Sequence, residues 1–95
     1  MYQVIWEKEA LDQLDKLDKK VAKELYEKVN LDLANNPQKN PQKGKIKKLY
    51  GKWEGFWRYR LGNCRAIYEI LEDEVIVSIV KVGLREKVYK KRTFG

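Results

Sequence analysis

Lys52 to Tyr68 reads KWEGFWRYRLGNCRAIY, and two strands joined by a tight turn account for it. Arg58 and Arg60 are two residues apart, so on a strand both side chains point to one face. Trp57, Tyr59 and Leu61 alternate with them and point to the other. Gly62-Asn63 is a turn signal. The chain then returns through Arg65, with Ile67 and Tyr68 beyond it. Such a hairpin gathers three guanidiniums on one small surface.

Upstream, Tyr2 to Trp6 alternates Tyr2, Val4 and Trp6 against Gln3 and Ile5, which reads as a short first strand. From Glu7 to Asn35 apolar residues recur at three or four: Ala10, Leu14, Leu17, Val21, Leu25, Val29 and Leu33. That run is long for one globular helix. Asp18 can cap a second helix, so the segment is expected to be a helical hairpin broken near Leu17-Asp18. Asn35-Asn36-Pro37 ends it. Residues 37–48, PQKNPQKGKIKK, read as a basic irregular connector. Downstream, Leu49 to Leu61 is expected to be one strand, with Gly51 and Gly55 allowing a bend or bulge. Cys64 to Leu71 is the next strand. Glu72-Asp73-Glu74 turns the chain, Val75 to Val82 returns, and Gly83 ends the strand. Short connections make these neighbours antiparallel. The expected fold is α+β, of order β-α-α-β-β-β. Two N-terminal helices pack on one face of a small, mostly antiparallel sheet, and residues 1–95 form a single domain. If Trp57 and Tyr59 face the helices, Arg58 and Arg60 lie on the open side.

The net charge of +7 is unevenly spread. Residues 1–36 carry six basic and eight acidic side chains, residues 37–65 nine basic and one acidic, and residues 66–95 six basic and five acidic. A local positive field of this kind is a footprint for phosphate-rich or acidic partners. No apolar run is long enough to span a bilayer. The N-terminus, MYQVIWEKEA, meets charge by residue 7, so no signal peptide is expected. The single Cys64 allows no internal disulfide and reads as a small buried hydrophobe. A reducing cytoplasm is the expected location.

The sequence has no histidine. That removes Ser-His-Asp and Cys-His catalysis and most zinc constellations. No Walker A or GxGxxG pattern occurs. The helical carboxylates Glu7, Glu9, Asp12, Asp15 and Asp18 read as a solvated face. No metal site and no cofactor are expected. What remains is Arg58, Arg60, Arg65, Arg85 and Tyr89. Guanidinium forks grip phosphate oxygens bidentately and stay charged. Such a cluster can bind a phosphodiester or stabilise charge that forms in a transition state. An aromatic beside it can stack on a base. RNA brings its own nucleophile, the 2′-hydroxyl, so positioning and electrostatics alone could cleave it. Lys45, Lys47, Lys48 and Lys52, with Lys87 and Lys90 in the tail, are candidate RNA contacts.

The chain resembles the RelE/ParE toxin superfamily and, within it, the RelE-type mRNA interferases of type II toxin–antitoxin systems. The resemblance runs through YQVIWEKEALDQLDKL, the LANNP helix end and KKLYG; it is clearest in FWRYRLGNCRAIYEI and finishes with VSIVKVGLREKVY. It implies two helices on a small antiparallel sheet with a concave open face. It also implies cleavage of mRNA in the ribosomal A site, by 2′-hydroxyl attack that leaves a 2′,3′-cyclic phosphate. A RelB-like antitoxin, the ribosome and mRNA are the implied partners, with no membrane, and the toxin alone is expected to be a monomer. Arg58 and Arg60 match paired basic positions on the strand before the hairpin, and Arg65 the arginine of the return strand. Arg85 matches the arginine of the closing G-x-R-x segment, and Tyr89 the tyrosine that stacks on the mRNA base. Better-known members carry lysine where this chain has Arg58 and Arg60. Arginine does not readily lose its proton. Both are therefore expected to hold phosphate, while the 2′-hydroxyl proton leaves to water or a phosphate oxygen. Two other readings stand beside this one. One is a ParE-type inhibitor of DNA gyrase that cuts no nucleic acid. The other is a basic RNA- or protein-binding module without catalysis.

Overall fold

A computed structural model describes residues 1–89. Strand β1 (Gln3–Trp6) is followed by helices α1 (Lys8–Asp15) and α2 (Lys19–Asn35), then by strands β2 (Ile46–Lys48), β3 (Trp57–Leu61), β4 (Cys64–Leu71) and β5 (Ile76–Leu84). The sheet order is β1-β5-β4-β3-β2. β1 runs parallel to β5, and the other three pairings are antiparallel.

The helical hairpin breaks where the sequence expects it. The Asp18 carboxylate accepts from the Lys20 N–H at 3.2 Å and caps α2, satisfying one of the donors a helix start leaves open. Ala10, Leu14, Leu25, Val29 and Leu33 are buried. They pack against Ile46, Tyr59, Ala66, Tyr68, Val77, Ile79 and Val82 of the sheet. Each fully buried large aliphatic side chain here stabilises the fold by about 1.5–3 kcal/mol. β1 stops at Trp6, paired to Ile79, and α1 takes over the exposed edge of β5. Gln13 Oε1 accepts from the Val82 N–H at 2.7 Å, an edge donor that β1 no longer reaches.

Two sequence expectations change. Leu49 to Leu61 is not one strand, because a 3₁₀ turn over Gly51–Trp53 splits it. Gly51 and Gly55 both take positive φ, 67° and 93°, which turns the backbone rather than bulging it. The connector is also not irregular throughout: Ile46–Lys48 pairs with Trp57–Tyr59. The sheet therefore has five strands rather than four. β5 runs on through Gly83 to Leu84, and the first strand starts at Gln3 rather than Tyr2.

The second face of the sheet is only partly open. Trp53, Phe56, Ile67 and Val88 form a small buried cluster there, with Leu49 and Val80 against it. Trp53 and Phe56 meet edge to face at 5.6 Å. Val88 folds back over Gly83, where an added Cβ would lie 3.5 Å from the Val88 Cβ. This brings the residues after β5 back across the open face.

Candidate functional site

The register of β3 on β4 fixes the basic residues. Tyr59 pairs with Ala66, both in the helix-facing core. The flanking pairs, Arg58 with Ile67 and Arg60 with Arg65, therefore point to the other side. Ile67 in the second cluster confirms the side. Lys47 is opposite Arg58 on the next strand and shares that face.

Arg65 is at the centre and is 6 % exposed. Its Nη1 donates to the carbonyls of Gly62, at 2.8 Å, and Cys64, at 3.0 Å. Burial pulls its pKa below the usual arginine value; Arg58, Arg60 and Arg85 lower it further, while Tyr89 opposes them. Arginine remains protonated regardless, so the cost appears as desolvation of the charge, with like-charge repulsion added to it. Arg58, Arg60, Arg85 and Tyr89 are thus near enough to Arg65 to act on its charge. Arg85 is held there by its own N–H, which donates to the Asn63 carbonyl at 2.8 Å. Arg58 Nη2 and Arg60 Nε both donate to the Gly44 carbonyl, at 2.7 and 3.2 Å. Arg58 Nε and Arg65 Nε are buried and find no acceptor among the described residues. Buried donors are nearly always paired, so these two are exceptions; what suits the cluster to an anion is the summed charge of its guanidiniums.

The lysines divide. Lys47 stands beside the arginines. Lys45 instead lies over the Tyr59 ring at 5.4 Å, with Lys28, Asp32 and Glu24 of α2 and Arg60 of β3 as electrostatic neighbours; burial is the main cause of its lowered pKa. Lys48 lies 6.0 Å over Trp57, on the side facing the helices. Lys52 is on the 3₁₀ turn and Lys87 in the turn after β5, both exposed. Lys90 lies outside the described residues.

Sequence reasoning missed Lys81. It pairs with Ile67 and places its ammonium 5.6 Å over the Trp53 ring on the open face. Burial lowers its pKa, against the pull of Glu9. Its period-two spacing from Gly83 and Arg85 was the available signal. Gly44 was also missed, because its part is played by a main-chain oxygen. Among the described residues no group of three or more His, Cys, Asp or Glu could hold a metal ion. No helix among them is long and apolar enough to cross a membrane.

The chain is thus a small α+β protein with two helices on one face of its sheet and an arginine cluster on the other. The family model described as the ParE toxin of the type II toxin–antitoxin system parDE matches residues 4–89, and the chain belongs to that family. Among solved structures, the toxin–antitoxin complex RelBE2 from Mycobacterium tuberculosis contains a similar chain, with a TM-score of 0.77 and 26% identity over 88% of this chain and 91% of that one. The isolated E. coli RelE toxin matches with a TM-score of 0.70 and 22% identity, covering 94% and 89% of the two chains. A YoeB/ParE toxin from Agrobacterium tumefaciens matches with a TM-score of 0.70 and 15% identity over 86% and 96%. The last two likenesses concern the fold alone. No curated protein sequence matches the chain at significance.

Proposed function

We propose that this toxin is a ribosome-dependent endoribonuclease. The observation that carries the reading is the placement of Arg58, Arg60 and Arg65 on one face of the β3–β4 hairpin, with Arg85 tied to the hairpin turn through the Asn63 carbonyl. The 2′-hydroxyl of an mRNA nucleotide in the A site attacks the adjacent phosphorus in line. The 2′-O–P bond forms, the P–O5′ bond breaks, and a 2′,3′-cyclic phosphate and a 5′-hydroxyl result. The 2′-proton leaves to water or a phosphate oxygen, and the leaving 5′-oxygen takes a proton from solvent. Arg65 and Arg85 stabilise the charge on the non-bridging oxygens as it grows, and Arg58 and Arg60 hold the phosphate. Tyr89, 37 % exposed, offers its ring to a base. No step calls for a metal or an organic cofactor. Lys47, Lys52 and Lys87 extend the positive surface toward flanking phosphates.

A RelB-like antitoxin is the partner, by analogy with the M. tuberculosis complex. An acidic antitoxin segment covering the arginines would neutralise the chain.

The family model that matches is that of ParE, which favours a second reading, inhibition of DNA gyrase without nucleolysis. One induction experiment separates the two. Primer extension on cellular mRNA after induction is expected to show new 5′ ends confined to translated frames. Inhibited supercoiling with intact mRNA would instead establish the gyrase reading.

A further inference from the structure

We propose that the main-chain carbonyl of Gly44 is a positioning group that holds Arg58 and Arg60 side by side as a two-pronged phosphate clamp. The inference rests on the phosphate-binding reading of the arginine cluster given above. Two guanidiniums two residues apart on one strand face repel each other, and each has a long flexible stem. A single oxygen accepting from both, at 2.7 Å from Arg58 Nη2 and 3.2 Å from Arg60 Nε, places partial negative charge between them and offsets that repulsion. Each guanidinium has five N–H donors. The carbonyl uses one from each, so it orients both forks without exhausting their donors.

The loop is built to deliver this oxygen. Gly44 takes φ +80°, a conformation in which side chains with a Cβ are strained. A Cβ added there would lie 3.5 Å from Arg60 Nη2, an ordinary van der Waals contact, so the demand for glycine comes from the backbone conformation. The loop is closed on both sides of Gly44. The Asn40 side-chain oxygen accepts from the Ile46 N–H, and the Lys45 N–H donates to Gln42 at 3.1 Å. The Lys45 carbonyl in turn accepts from the Arg60 N–H at 2.8 Å. Residues 40–46 thus form a bracket anchored on β3 itself, the strand that carries both arginines. The bracket acts on substrate only through them.

The test measures affinity without requiring catalysis. Calorimetric titration uses inorganic phosphate and a short RNA with a single 2′-deoxy nucleotide at the cut site. Gly44→Ala is expected to weaken binding of both by about tenfold, and Asn40→Ala by a smaller factor. In an Arg58→Ala/Arg60→Ala background each change is expected to alter affinity less than twofold, because the groups being positioned are gone. Equal effects in both backgrounds, or no effect in the wild-type background, would overturn the proposal. If Gly44→Ala fails to melt cooperatively, Asn40→Ala decides the matter by the same criterion. Failure of the wild-type chain to bind either anion also overturns it. Anion binding that depends on Gly44, with no mRNA cut on the ribosome, would refute the nuclease reading and leave this one standing.

Discussion

On the face under the helices, the buried hydroxyls of Tyr59 and Tyr68 each end on an acceptor, Asp32 Oδ2 at 2.5 Å and the Pro37 carbonyl at 2.6 Å. On the opposite face, Arg58 Nε and Arg65 Nε are buried and end on none among the described residues. The same strands supply both sets, since Tyr59 sits between Arg58 and Arg60. One face is thus closed and complementary to itself, and the other is organised but incomplete. Buried donors without a partner are exceptions in folded proteins, and both of these fall in the arginine cluster. The sheet separates the two duties, so substitutions on one face should affect stability and on the other activity.

The largest effect is expected from opening the closed face. Leu25 is fully buried under the sheet. Leu25→Ala should cost about 2–5 kcal/mol, a large share of the stability of a domain this size. Urea unfolding measures it, and the RNA affinity of the remaining folded fraction should not change. A loss of affinity in a still-folded Leu25→Ala protein would break the separation.

Next comes the open face. Arg65→Ala should lower mRNA cleavage by about 10²–10³-fold, the scale for removing one preorganised donor to developing charge. Its unfolding midpoint should move little, because the lost hydrogen bonds to Gly62 and Cys64 are offset by relief of repulsion from Arg58, Arg60 and Arg85. Cleavage rates on programmed ribosomes, paired with a urea titration, measure both. A strongly destabilised Arg65→Ala protein would mean that this residue is structural first.

The faces also differ in what they titrate. Burial and then the hydrogen bond to Asp32 hold the Tyr59 hydroxyl far above its ordinary value, and burial does the same for Tyr68 despite the nearby Arg58. The unfolded chain releases both protons above about pH 10, while the folded chain keeps them. Their contribution is therefore fully present below about pH 10 and falls above it, by up to about 1.4 kcal/mol per pH unit for each tyrosine. Lys45 and Lys81 act in the opposite sense, because their lowered values add stability as pH rises toward 10.5. Tyr59→Phe keeps the ring under Lys45 and should remove about half of the tyrosine slope. Urea midpoints between pH 9 and 11 test this, and an unchanged slope would show that the Tyr59 hydroxyl is not held neutral.

Much of this division was legible in the residues. The period-two alternation of Arg58, Tyr59 and Arg60 assigned both faces, and the helical stripe from Ala10 to Leu33 located the core. The β2 strand was not legible, because three residues after two prolines and Gly44 carry no periodicity of their own. Ile46–Lys48 becomes a strand only because β3 offers it a partner. The 3₁₀ turn at Gly51–Trp53 was hidden for a related reason: Gly51 and Gly55 permit several backbones, and tertiary packing of Trp53 on Phe56 and Ile67 selects one. Neither Lys81 nor the Gly44 oxygen announces itself, since each gains meaning only from its neighbours across the sheet.

The smallest effect should come from the far end of the sheet, where backbone strain serves neither face. Val75 closes the acidic β4–β5 turn in the left-handed region, at φ 55° and ψ 43°. A β-branched residue pays about 1–2 kcal/mol for that conformation. Glycine adopts it freely but loses about 0.5–1 kcal/mol through the greater freedom of the unfolded chain. Val75 is 46 % exposed, so truncation surrenders little buried surface. Val75→Gly should thus raise stability by about 0.5–1 kcal/mol, read as a higher urea midpoint. The turn sits at the opposite end of β4 from Arg65, so cleavage should not change. A stabilised Val75→Gly protein that cuts more slowly would show strain at this turn reaching the arginines along β4, and the two duties of the sheet would then be coupled.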